Sequence, residues 1–229
     1  MKFSELMASL QAEGDAFETA ITDNWLQGRT TYGGLSAALC LEATLRAFPD
    51  LPPLRSAQIS FLGPVGGTVR IKPEALRRGR NVSFVNADLI GESGGIATRA
   101  VFAFGQTRET ELAADFAPAR EFPPPDRLPA PRREGSPGFA LEFDVRWLTG
   151  GKPFSGSRDC DVFLWARHGD AAARSAPALL ALADMPPPAL FPMFPRFGPI
   201  STMTWSLNFL ADPATLGGGW FLMETRAEH

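Results

Sequence analysis

The sequence predicts an α+β protein built twice over, each half a long antiparallel sheet wrapped around one buried helix, with the second half cut short at its C-terminus. Three observations carry this. Trp25 to Phe48 reads as a strand end, a glycine turn and one long apolar helix, in which Leu35, Ala38, Leu39, Leu41, Ala43, Leu45 and Phe48 leave almost no polar face. Strand-like runs, not further helices, follow it. The same order of motifs then returns beyond a proline-rich stretch.

Taken in order, residues 3–12 place Phe3, Leu6, Met7 and Leu10 at helical spacing, and the run from Phe17 to Trp25 is strand-like. Gly33 and Gly34 precede the first turn of the central helix, where backbone can come close to another group and free N–H donors point outward. Pro49 stops that helix. Ala57, Ile59 and Phe61 then alternate with Ser56, Gln58 and Ser60, the pattern of a half-buried strand. Residues 67–80 and 81–92 make two more strands, and Ser93-Gly94-Gly95 turns the chain into a last one over 96–107. The segment 106–137, with Pro118, Pro123, Pro124, Pro125, Pro129, Pro131 and Pro137, is too proline-rich for regular structure. The expected division is a unit at 1–106, a linker at 107–137 and a second unit at 138–229.

Beyond the linker, Phe139 to Gly150 matches Phe17 to Gly28 through Phe, Trp-Leu and Gly. A second apolar helix, Pro177 to Asp184, follows a strand-like insert at Asp159–Arg167 that the first copy lacks. Asn208-Phe209-Leu210 echoes Ser60-Phe61-Leu62, and residues 219–229 echo 68–78. The second copy halts at His229 about two strands early, so the natural protein is expected to continue past that residue.

A net charge of −3 over 229 residues argues against a nucleic-acid partner. No apolar run nears the roughly 20 residues that span a bilayer, and the N-terminus has no signal core, so no membrane partner is expected and the cytoplasm is the default location. Cys40 and Cys160 read as small buried hydrophobes. With two Cys and two His in all, no metal is expected.

A glycine-preceded buried helix wrapped by an antiparallel sheet, repeated through a proline-rich linker, resembles the double hotdog proteins. More narrowly, Trp25-Leu26-Gln27-Gly28-Arg29, Gly33-Gly34, the stretch Arg55 to Pro64 and Gly79-Arg80-Asn81 resemble the acyl-CoA thioesterases of the thioesterase II type and their thioesterase-like relatives. The resemblance implies hydrolysis of an acyl-CoA thioester without cofactor or covalent intermediate. In that family an Asp on the second helix, a Thr on the following strand and a Gln on the last strand hold the attacking water. The matching positions are Asp184 and Thr202, with Thr204 as fallback, and the Gln strand would lie beyond His229.

Each candidate has a plainer reading. Asp184 ends an apolar helix before Pro186-Pro187-Pro188; as a base its pKa would be raised by apolar neighbours and by its own helix's dipole, otherwise it merely closes the helix. Thr202 either orients the water or is a β-branched strand residue. Gly33 and Gly34 either donate to the substrate or let the helix sit close. Arg77, Arg78 and Arg80 either grip coenzyme A phosphates or are a solvated hairpin tip. Phe191 and Phe194, with Met193 and Phe197, either line an acyl pocket or cover the second helix.

Gly91-Glu92-Ser93-Gly94-Gly95 imitates a nucleophile elbow but leads into an alternating strand, and so reads as a hairpin turn. A hydratase would need a His against an Asp, and His168 is the one internal His. A non-catalytic acyl-ligand binder that kept the tunnel is the alternative to the hydrolase. Two such halves in one chain already make the unit that single halves reach by dimerising, which leaves further homo-oligomers open.

Overall fold

The computed structural model describes every residue except 112–113, 115–119, 132–134, 199 and 229. Helix α1 (Phe3–Ala8) turns Phe3, Leu6 and Met7 inward, and strands β1 (Gln11–Glu13) and β2 (Ala16–Ile21) follow as a hairpin. The strand expected to reach Trp25 stops at Ile21. Asp23–Trp25 is a turn of 3-10 helix that drops the indole into the core, its Nε1–H donating to the Met1 carbonyl at 3.1 Å. A two-rung hairpin of β3 (Leu26–Gln27) and β4 (Thr30–Thr31) reverses next to Gly28, whose φ of +68° suits glycine, and delivers the chain to α2 (Gly33–Ala47).

Helix α2 needs no polar face because it is covered on nearly every side: Leu35, Ala37, Ala38, Leu39, Cys40, Leu41 and Ala43 are fully buried. Its polar margin is used for attachment. Arg46 pairs with Glu42 one turn earlier and donates to the Met7 and Leu10 carbonyls at 2.7 and 3.0 Å, tying α1 down. Strands β5 (Leu54–Phe61), β6 (Gly67–Arg78), β7 (Val82–Gly91) and β8 (Ile96–Gly105) then wrap it, presenting Ile59, Val69, Ile71, Val85, Leu89, Phe102 and Phe104 to the core. Each such side chain contributes on the order of 1.5–3 kcal/mol by leaving water. The elbow-like motif at Gly91–Gly95 is the β7–β8 turn, with Gly94 at φ +80°.

Past the linker, β9 (Phe143–Thr149), β10 (Val162–His168), α3 (Ala176–Ala183), β11 (Thr204–Asn208) and β12 (Phe221–Thr225) make up the second half. Strands β9, β10 and β12 form a three-stranded sheet. Strand β11 crosses over to pair with β5, completing a seven-stranded sheet of order β1-β2-β6-β7-β8-β5-β11. Helix α3 lies against α2. No helix among the described residues is long and apolar enough to cross a membrane.

The pairing corrects the repeat at its front. Strand β2 precedes α2 and pairs with β6; the strand that precedes α3 and pairs with β12 is β10, not the stretch Phe139–Gly150. The supposed insert is therefore the counterpart of β2, and β9 is the counterpart of edge strand β1. A Phe, Trp-Leu, Gly match cannot tell neighbouring strands apart, whereas hydrogen-bond partners can. The later part of the alignment fits the structure. Setting Phe209 on Phe61 sets Ser206 on Gln58, and Ser206 and Gln58 are themselves partners in the β5–β11 ladder. The strand thus pairs with its own repeat about a local two-fold axis at that rung.

Candidate functional site

The two helices lie antiparallel, the N-terminus of α2 against the C-terminus of α3. Helix α3 starts at Ser175, whose Oγ accepts the Ala178 N–H at 3.3 Å, and its apolar run buries Ala178, Leu180, Ala181 and Leu182. It ends because Pro186 to Pro188 cannot continue it. The Met185 N–H closes onto the Leu182 carbonyl at 3.0 Å, one residue short of the α-helical partner, which releases the Ala181 carbonyl. The Tyr32 hydroxyl donates to that carbonyl at 2.7 Å in a fully buried contact.

Asp184, at the end of this last turn, lies against the first turn of α2. A Cβ built on Gly33 would stand 3.0 Å from Asp184 Oδ2 and 3.0 Å from Phe61 Cζ, and one built on Gly34 would stand 2.7 Å from the Ala181 oxygen and 2.7 Å from the Tyr32 hydroxyl. The two glycines are therefore required by close approach. The Gly34 N–H faces the Asp184 carboxyl and lowers its pKa. Burial pushes the carboxyl up to about 7, and the Gly34 amide draws it only part of the way back. The dipoles of the two helix ends oppose one another here, α3 raising and α2 lowering the acid, so loss of water decides the direction.

Thr202 stands just outside β11, which begins at Thr204; both threonines are exposed. The strand expected to carry Thr202 is shorter because its partner β5 runs out, the ladder closing with Thr204 on Ser60 and one more bond from the Phe61 N–H to the Met203 carbonyl at 2.9 Å. Through Phe61 this brings Thr202 to the same end of the sheet as Gly33 and Asp184. Among the described residues no hydrogen bond joins Thr202 to Asp184.

Phe191 and Phe194 belong to the loop after α3, where Phe154 reaches Phe191 at 4.9 Å and Phe197 at 5.4 Å between ring centroids. Backbone bonds from Phe154, Gly156 and Ser157 stitch this loop to the one after β9. Phe194 and Phe197 remain exposed. Arg77 and Arg78 close β6, and Arg80 lies in the following turn. The Arg78 guanidinium pairs with Asp50 at 2.5 Å and stands over the Phe48 ring, at the C-terminal end of α2. The fifteen residues of α2, about 22 Å at 1.5 Å per residue, separate that end from Asp184.

His168 does not approach the acid. Its ring lies between Phe3 and Phe143, burial lowers its pKa, and Nε2 lies 2.7 Å from the Ala178 carbonyl, which fixes Nε2 as a donor. It borders a cavity of about 220 Å³ between β10, α3 and residues 216–219, which Asp184 does not line. The sequence reading missed Tyr32 and Phe61 as parts of the site. The available signal was slight: Tyr32 is the single tyrosine and sits directly before the glycine pair.

The chain matches the family description "Acyl-CoA thioesterase N-terminal domain" over residues 21–105 and "Acyl-CoA thioesterase C-terminal domain" over 115–229. Among solved structures it is similar to a conserved hot dog fold protein of unknown function from Alicyclobacillus acidocaldarius, with TM-score 0.89, 24% identity and coverage of 98% of this chain and 86% of that one. A tesB protein of Mycobacterium avium subs paratuberculosis gives TM-score 0.76 at 16% identity, covering 100% and 89%. Acyl-CoA thioesterase II TesB2 of Mycobacterium marinum gives 0.69 at 17%, covering 96% and 84%. At these identities the likeness establishes the double hotdog fold. No curated protein matches the chain.

Proposed function

The chain belongs to the acyl-CoA thioesterase family in both its N- and C-terminal domains, and from that premise we propose that it hydrolyses an acyl-CoA thioester with a water activated by Asp184. The observation that carries this is a carboxyl packed between the last turn of α3 and the first turn of α2, where burial pushes it up to about 7. A general base works best when its pKa is near the operating pH, and an ordinary carboxylate is too weak for the task. In this reading Asp184 takes the proton of a water as its oxygen attacks the thioester carbonyl. The acid faces the Gly34 amide and is held by the last turn of α3. Thr202 supplies a hydroxyl at the mouth of the site, and Phe191 and Phe194 form the apolar wall that receives the acyl chain.

Free-thiol release from a panel of acyl-CoA esters tests the proposal. The expected kcat/KM rises with pH and half-saturates near 7, as the Asp184 proton is lost. A profile already flat at pH 5 would assign the base elsewhere. Arg77, Arg78 and Arg80 stay outside the proposed site, since Arg78 is engaged by Asp50 and Phe48 far along α2. Replacing all three by Ala is expected to leave KM within about twofold, as exposed ion pairs contribute little. A tenfold rise would bring the hairpin back into contact with coenzyme A. The alternative, a non-catalytic acyl-ligand binder, has the exposure of Thr202 in its favour, and saturable ester binding without turnover would establish it.

A further inference from the structure

We propose that Tyr32 is the positioning residue of the site: its hydroxyl fixes the last turn of α3 against the first turn of α2 and so sets where the Asp184 carboxyl stands. The inference rests on the proposed role of Asp184 and adds a device that holds it.

The Ala181 carbonyl is free because the Met185 N–H closes onto Leu182, and Tyr32 takes it at 2.7 Å. Ala181 is one turn before Asp184, so a bond there controls the turn that carries the acid. Tyr32 is itself immobilised on every side. Its N–H donates to the Trp25 carbonyl at 2.9 Å, and its carbonyl accepts from Leu35 and Ser36 at the start of α2. Its ring stacks on Phe139 at 4.2 Å and 7° and meets Phe143 edge-on at 5.9 Å. Burial, and then the nearby Asp184 charge, raise the phenol well above its ordinary range, so it remains a donor throughout the working pH range. The acid is faced by Gly33 and Gly34 from α2 and by Phe61 from β5, and Tyr32 is the titratable group acting with it among the described residues.

Without the hydroxyl, the buried Ala181 carbonyl loses its partner and must be rehydrated, and the extra water this draws into the last turn of α3 lowers the Asp184 pKa and loosens its placement. Tyr32→Phe keeps the stacking and removes only the bond. The expected result is a fall in kcat of about tenfold to a hundredfold with KM within about threefold. The acid limb of the pH profile is expected to move down by about one unit or more. Because the chain has a single tyrosine, 3-fluorotyrosine replaces this residue alone and gives a reading independent of activity. Its fluorine resonance is expected to titrate near 7, and Asp184→Asn is expected to abolish that step. A Tyr32→Phe profile coincident with wild type, or a fluorine resonance with no such step, overturns the inference. Should Tyr32→Phe fail to fold, the fluorine titration decides alone. If the wild-type protein releases no thiol but the step is present, positioning stands and the hydrolase reading falls.

Discussion

Asp184→Asn is expected to release thiol at a rate lower by a factor of about 100 to 10,000, the usual worth of a positioned general base, while folding more stably than the wild type above neutral pH. The second half follows from linkage. The carboxyl's ordinary value is 3.8 and the folded protein holds it at about 7, so between those values the native state binds a proton that the unfolded chain has lost. Stability therefore falls as pH rises through this window, by up to about 4 kcal/mol for a shift of that size. Asparagine keeps an oxygen facing the Gly34 amide and cannot ionise, so the variant escapes the loss. Thermal unfolding at pH 5 and pH 8 checks it. A difference between the two proteins that is the same at both values refutes the desolvated acid, and undiminished thiol release refutes the base.

Gly34→Ala is expected to be the more damaging of the two glycine substitutions, although alanine is the better helix former by about 1 kcal/mol. The added Cβ would lie 2.7 Å from the backbone oxygen of Ala181 and 2.7 Å from the Tyr32 hydroxyl, neither of which can swing aside. The helices must part, at a net cost of about 1–3 kcal/mol, and the Asp184 carboxyl shifts with them, for a rate loss of around a hundredfold. Gly33→Ala meets only the Asp184 oxygen and the far end of the Phe61 ring, each at 3.0 Å on a side chain, and is expected to cost less than half as much stability. Melting temperatures and thiol release for the pair give the comparison; equal penalties, or none at Gly34, contradict the close approach.

What the sequence disclosed and what it concealed divide by range. The central apolar helix, its stop before Pro49, the alternation of β5 and the acid closing an apolar helix at Asp184 are all local patterns, and each is present in the structure, although Gly33 and Gly34 open the helix and do not precede it. The approach of Asp184 to Gly34 is not local, and neither is the Tyr32 bond, whose partners lie 149 residues apart. Nothing in the neighbourhood of either residue announces the other. The resemblance placed Thr202 on the strand after the second helix, but a ladder lasts only as long as its partner, and β5 ends at Phe61. The front of the repeat was misaligned for a related reason: edge strand and core strand share a composition, and only their partners distinguish β9 from β10.

The local two-fold at the Gln58–Ser206 rung bears on stoichiometry. An assembly of identical chains must repeat every site it builds, whereas a duplicated chain is free to use its symmetry once. The axis that brings α2's first turn to Asp184 also brings the start of α3 to the end of α2. There Leu41, Leu45, Leu51 and Pro213 surround a cavity of about 220 Å³ beside Ala176. On the helices themselves that junction has hydrocarbon where its twin has the acid, its one lining carboxylate, Asp212, coming from the loop after β11. Active-site titration should accordingly count one centre per chain, and the relieved copy can change its lining without touching the rate.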